Sequence, residues 1–364
     1  MELTLGKRLR GLPGPILVTG HTGFKGTWLT FLLERLNVPV VGLSLAPEKE
    51  SLFERTNRTG MIPEEFIDVR DAEAVSKFML KYRPSSIIHM AAQPLVLESY
   101  KAPRDTFETN VMGTVNVLDS AFKTDSVEAV VVVTTDKVYR NDNSGRAFVE
   151  ADPLAGKDPY SASKVATESV VAAWQQMAKV SGGPKIISVR AGNVIGGGDW
   201  ADNRLIPDLV RSLVKKEKVF LRNPESTRPW QHVLDPLLGY LMSLEYLLDV
   251  GNIERVESFN FGPDSTSLAV KHVAEIAMRS WPYGVKIEEW ANCSSQRIEA
   301  DSLSLNSLKA RNLLKWSPIW TQEEAVIATF RWWHEILNLG FTPIKSCNEE
   351  IEQALTGLAH MESV

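Results

Sequence analysis

Cysteine is scarce in this chain: there are two among 364 residues. They are Cys293 and Cys347, far apart and at no metal-ligating spacing. A disulfide-braced fold is excluded, and a reducing, cytoplasmic setting is expected. The six histidines also lack ligand spacing, so no metal is expected. No apolar run reaches the roughly 18 residues of a membrane span. The opening MELTLGKRLRGLPG has no apolar h-region, so no secretory leader is expected. Repeats and low-complexity tracts are missing. A large charge of one sign is missing too, since the formal net charge is −5. Neither a nucleic-acid nor a membrane partner is expected from that balance. It leaves room for an anionic small molecule in a local basic pocket.

What is present is ordinary globular composition, 44% hydrophobic and 23% charged. Short apolar runs at 15–20, 38–45, 86–92, 130–133 and 185–194 read as strands, with a further strand within 64–71. Helical patterns lie between them at 27–36, 72–82, 106–123 and from about Tyr160. Strands alternating with helices predict parallel strands joined by crossovers, with both sheet faces covered. The expected fold is α/β, a doubly wound parallel (Rossmann) sheet with a smaller α/β substrate lobe. Ligands then bind at the carboxyl ends of the strands. Residues 1–194 are assigned to the dinucleotide-binding domain, with 232–261 returning to it. Residues 195–231 and 262–340 are assigned to the lobe, and 341–364 form a tail of no clear role.

VTGHTGFKG (18–26) places Gly20, Gly23 and Gly26 between a strand and a helix. Glycines there allow a tight turn and a close approach to pyrophosphate, with a helix N-terminus aimed at phosphate. Thr22 and Phe24 share that loop. The second strand ends at Ser44 instead of an acid, and the nearest cation is Lys49. The ribose side therefore does not separate NAD from NADP. In DPYSASK (158–164), Tyr160 and Lys164 stand four apart on one helix face. An ammonium there favours the tyrosinate needed to take a proton from an alcohol. The strand at 130–133 runs into Thr134, Thr135, Asp136 and Lys137, an acid beside a base.

From about residue 14 to 335 the chain resembles the extended short-chain dehydrogenase/reductases. The resemblance implies NAD, and a catalytic trio of Thr135, Tyr160 and Lys164. It sets Ala91, Ala92 and Gln93 of HMAAQ beneath the cofactor and Asn110 on the long helix behind them. It also closes Asp68 and Val69 over the adenine, although a helix cap is the other reading of Asp68. The run Thr-Asp-Lys resembles that of CDP-glucose 4,6-dehydratases. So do GHTGFKGTWL, AAQPLV, RAGNVIGGGDW, RNPESTRPWQHV and FNFGP. Asp136 is then the acid for a departing 6-hydroxyl. Two roles stand open for Lys137: neutral, it takes the C5 proton; charged, it stabilises the C4 enolate oxygen. The loops offer Asn193, Arg204, Asn223, Arg228, Asn260 and Glu299 to a nucleotide-sugar. Arginine suits its pyrophosphate because the planar fork binds two oxygens. Trp230 and His232 read equally as packing, and His89 as support for the fold. Two stretches depart from the family: Leu97 and Glu98 follow PLV where it often has Arg, and QRIEAD (296–301) differs. Helices 106–123 and 160–180 pair in the family as a four-helix bundle, so a homodimer or homotetramer is expected. A nucleotide-sugar epimerase, a dehydratase of another hexose and a non-catalytic dinucleotide sensor are the rival readings.

Overall fold

The computed structural model describes residues 5–221, 223–249, 257–263, 267–281, 287–289 and 303–362. Seven strands form one parallel sheet. They are β1 (Ile16–Thr19), β2 (Val40–Ser44), β3 (Glu64–Phe66), β4 (Ser86–His89), β5 (Ala129–Val133), β6 (Lys185–Ala191) and β7 (Ser258–Phe261). Their order across the sheet is β7-β6-β5-β4-β1-β2-β3. The order reverses beside β1, and a doubly wound sheet opens a crevice at such a point.

β5 shows why the strands read as unbroken apolar runs. Val130 and Val132 pack on one face with Val75, Phe78, Val117, Leu118 and Val171. Val131 and Val133 pack on the other face with Trp28, Leu29, Leu237 and Leu241. Neither face meets water, so alternation is lost. The covering helices are α1 (Phe24–Arg35), α2 (Ala72–Tyr82), α3 (Gly113–Phe122), α4 (Pro159–Ser181) and α5 (Leu234–Leu248). β7 carries the chain back to the sheet edge beside β6, pairing Asn260 with Arg190. Among the described residues, three short two-stranded pairs stand outside this sheet.

Two elements differ from the sequence reading. The long helix at 106–123 is three pieces: Pro103–Phe107, a π-helical segment at Glu108–Met112, then α3. The tail is a helix, α7 (Pro343–Glu362), preceded by α6 (Gln322–Asn338). Cys347, Ile351, Ala354 and Leu358 of α7 are buried in the same core as Trp28, and α7 packs on α1. His232 meets Glu350 of α7 at 3.0 Å, so His232 serves packing. Among the described residues no helix is long and apolar enough to cross a membrane.

Candidate active site

The glycine loop is set by space. Gly20 has a left-handed backbone, φ +74, and a Cβ on it would stand 2.9 Å from the Ala91 nitrogen. A Cβ on Gly26 would overlap the Gly20 carbonyl oxygen. Gly23 caps α1 with extended backbone and no side-chain partner. The first N–H groups of α1 are therefore left for a ligand, and they favour a phosphate. This cradle fits a dinucleotide. Thr22 and Ser44 join their hydroxyls at 2.7 Å, and Thr22 also donates to the Leu45 carbonyl. Phe24 is half-buried and packs on the core.

Asp68 is gripped by Arg70 at 2.6–3.1 Å. The hydrogen bond from Arg70 holds its carboxyl below the usual range. The cap of α2 is Asp71, accepting from Ala74 N–H, so the capping reading of Asp68 is corrected. Val69 is buried where a Cβ on Gly113 would come within 2.7 Å of it.

Thr19 accepts the Met90 and Ala91 N–H groups at 3.1 Å and lies 2.7 Å from His89 Nδ1. Burial, then the charge of Lys164, lowers the His89 pKa to about 3. The ring is neutral and supports the β4 end. Ala92 is half-buried in the same loop. Asn110 locks the loop to α4: its Oδ1 accepts Gln93 N–H at 2.8 Å, and its Nδ2 donates to Gln93 O and Ser163 Oγ. The π turn leaves the Asn110 carbonyl to the hydroxyls of Thr114 and Thr167, and π segments often mark functional positions.

The candidate catalytic groups converge beside this loop. Lys164 donates to the Val133 carbonyl at 3.2 Å, and burial lowers its pKa to about 8, with Glu168 opposing. Tyr160 is buried, hydrogen-bonded to Thr135 and close to Lys137; burial outweighs both and raises its phenol. The chain then turns through a single 3-10 turn, Asp136–Val138, capped by Thr135. Thr135 Oγ1 and Lys137 Nζ donate to Asp136 Oδ1 at 3.0 and 3.1 Å. Asp136 is fully buried, and its Oδ2 has no hydrogen-bond partner among the described residues. A strand cannot carry three successive side chains to one site, because they alternate in direction. The 3-10 turn gathers them.

The expected substrate residues divide. Arg204 is paired with Asp199 at 3.0 Å, is one-third exposed and acts electrostatically on Tyr160. Asn193 has a left-handed backbone, φ 43, and a buried Oδ1 without a partner among the described residues. Arg228 is buried and donates to the Thr227 carbonyl. Trp230 packs in the core. Asn223 is exposed, and Glu299 lies outside the described residues. The expected contact of Asn260 with substrate is corrected. Its Oδ1 accepts from Tyr139 Oη and its Nδ2 donates to Phe148 O and Asn306 O, all in the interior.

Lys25 was passed over in the sequence. Its ammonium stands 3.4 Å from Tyr240 Oη. Burial, then Lys164 and Arg204, lowers its pKa to about 7, and Asp136 opposes them. The available signal was a lysine inside a glycine loop, where an ion facing solvent has no use.

A phenol and an amine beneath a dinucleotide cradle, on a doubly wound sheet, define the short-chain dehydrogenase type of protein. Within that class the chain belongs to the NAD dependent epimerase/dehydratase family, whose model matches residues 16–256. It is 39% identical to the CDP-glucose 4,6-dehydratase of Salmonella typhimurium, over 87% of this chain and 89% of that one. Two solved structures share the fold. The UDP-glucose 4-epimerase of Thermus thermophilus, in complex with NAD, superposes with a TM-score of 0.75 at 22% identity, covering 88% of this chain and 99% of that one. The dTDP-glucose 4,6-dehydratase of Bacillus anthracis, also with NAD, gives 0.72 at 21%, covering 91% and 99%.

Proposed function

We propose that this protein is an NAD-dependent 4,6-dehydratase that converts CDP-glucose to CDP-4-keto-6-deoxyglucose. The observation that carries the reading is Asp136, a buried carboxyl beside Tyr160. Epimerisation at C4 has no task for such an acid. NAD, held by the glycine loop at 20–26 and the loop at 91–93, would supply the hydride acceptor for C4 and the hydride donor for C6, with a positive ring that would favour the phenolate.

Tyr160 takes the proton of the 4-hydroxyl, with Lys164 and Thr135 holding the phenol in place. The resulting ketone acidifies C5. Lys137, 3.1 Å from the Asp136 carboxyl, stands at the step in which the C5 proton leaves and the C4 oxygen gains charge. Asp136 gives a proton to the 6-hydroxyl as the C6–O bond breaks. Arg204 and Arg228 take the substrate pyrophosphate, and Asn193 orients the sugar. The protein acts as a homodimer through the face made by Pro103–Phe107, the π segment and α4.

Incubation with CDP-, dTDP-, UDP- and GDP-glucose tests this. CDP-glucose should lose one water by mass and gain the alkaline absorbance of a 4-keto-6-deoxy sugar. A protein that holds NAD yet converts none of the four is no dehydratase of these sugars.

A further inference from the structure

Gly192 follows the last residue of β6 and has a use that its backbone does not explain. Its φ is not in the left-handed region, unlike that of Gly198 in the same stretch. A Cβ on Gly192, however, would overlap Oδ2 of Asp136. Glycine is needed there because the acid occupies the space.

The same turn is clamped from behind. Gln231 is buried. Its Nε2 donates to Gly192 O and to Phe261 O, both at 2.9 Å. Its backbone N–H donates to Asn193 O at 3.2 Å. One glutamine thus ties the ends of β6 and β7 and holds the Gly192 carbonyl. The two oxygens of Asp136 are not equivalent. Oδ1 already accepts from Thr135 and Lys137, which suits the charged oxygen. Oδ2 receives no donor among the described residues and is buried against Gly192.

We infer that Gly192, held by Gln231, is a positioning residue that gives the Asp136 carboxyl its place beside Tyr160. The inference rests on the dehydratase reading above. In the step, the O–H bond of the Asp136 carboxyl breaks as the proton joins the 6-hydroxyl oxygen. The C6–O bond breaks with its electron pair, and water leaves. The electrons of the C5–H bond form C5=C6 as the C5 proton goes to neutral Lys137, which returns it to C5 when C6 is reduced. Tyr160 then holds the proton taken from the 4-hydroxyl, and exchange with solvent restores both groups.

The test is Gly192→Ala, followed with CDP-glucose in deuterated water. Displacing the carboxyl by about 1 Å should slow turnover roughly 100-fold with KM unchanged. C4 oxidation should persist, so the bound cofactor stands reduced at steady state, and deuterium should enter C5 of recovered substrate. Wild-type turnover overturns the inference, as does equal slowing of oxidation and elimination. If Gly192→Ala shows no cooperative melt, Gln231→Met removes the clamp without adding bulk beside Asp136 and should give the same reduced-cofactor signature. Its absence in a folded Gln231→Met overturns the inference equally. A wild type that converts no hexose removes the dehydratase reading, and this inference with it.

Discussion

At the residue scale, the site separates two tasks by burial and by hydrogen-bond count. Tyr160 and Lys164 sit four apart on α4, so their relation is local and their spacing showed it. Asp136 and Lys137 are adjacent in sequence, yet their shared direction depends on the 3-10 turn after β5. The identities of these four were legible. The direction in which Asp136 faces was not, because it is set by Gly192, far along the chain and contributed by another strand. Asn260 misled for a related reason: a polar residue at a strand end looks available until Tyr139, Phe148 and Asn306 close on it from distant segments. Asp136→Asn keeps the shape and the acceptor at Oδ1 and removes the transferable proton. Loss of general acid catalysis should slow dehydration by about 100-fold or more, while hydride still leaves C4. The near-ultraviolet absorbance of reduced nicotinamide should therefore build up during turnover. Equal loss of both half-reactions would remove Asp136 from the role of acid.

At the element scale, α1 is a helix whose beginning is dictated by what it must approach. Its strand–turn–helix setting was readable because glycine spacing is local. So were β1, β2 and α2, which fall within a residue or two of their sequence expectations. The π segment at Glu108–Met112 was not readable, since an extra residue in a turn leaves the apolar pattern nearly unchanged. It is visible only through what Asn110 then reaches: Gln93 on one side and Ser163 on the other. Gly26→Ala is the sharper test of α1. The added methyl meets the Gly20 carbonyl, which is backbone and cannot swing aside, so the loop must open. Overpacking of this kind costs about 1–3 kcal/mol, and the opened loop loses its aim at the phosphate. The variant should show weaker NAD binding by titration calorimetry together with a lower melting temperature. Full NAD affinity would mean that the loop does not hold the pyrophosphate.

At the scale of the whole molecule, the C-terminal tail and the face of the paired helices make different contributions. The C-terminal segment has no signature of its own, yet α7 carries Cys347, Ile351 and Ala354 into the core beneath α1, so it is part of the fold supporting the glycine loop. The face behind the site is the reverse case. Pro103–Phe107 packs on α4, and around them Tyr100, Phe107, Met112, Met177 and Val180 remain exposed. Large apolar side chains left in water, such as Phe107 and Met112, are the kind of surface that a second protein covers. In the proposed homodimer a two-fold partner covers this face with the same face, and closure leaves no free copy of it. The π segment that fixes Asn110 lies in this face, so in the proposed dimer the interface and the Gln93 loop share one element. Phe107→Lys combined with Met112→Lys introduces like charges across such an axis. Sedimentation should give a dimer for the wild type and a monomer for the double variant at unchanged far-ultraviolet circular dichroism. A monomeric wild type at micromolar concentration would show that this face has another use.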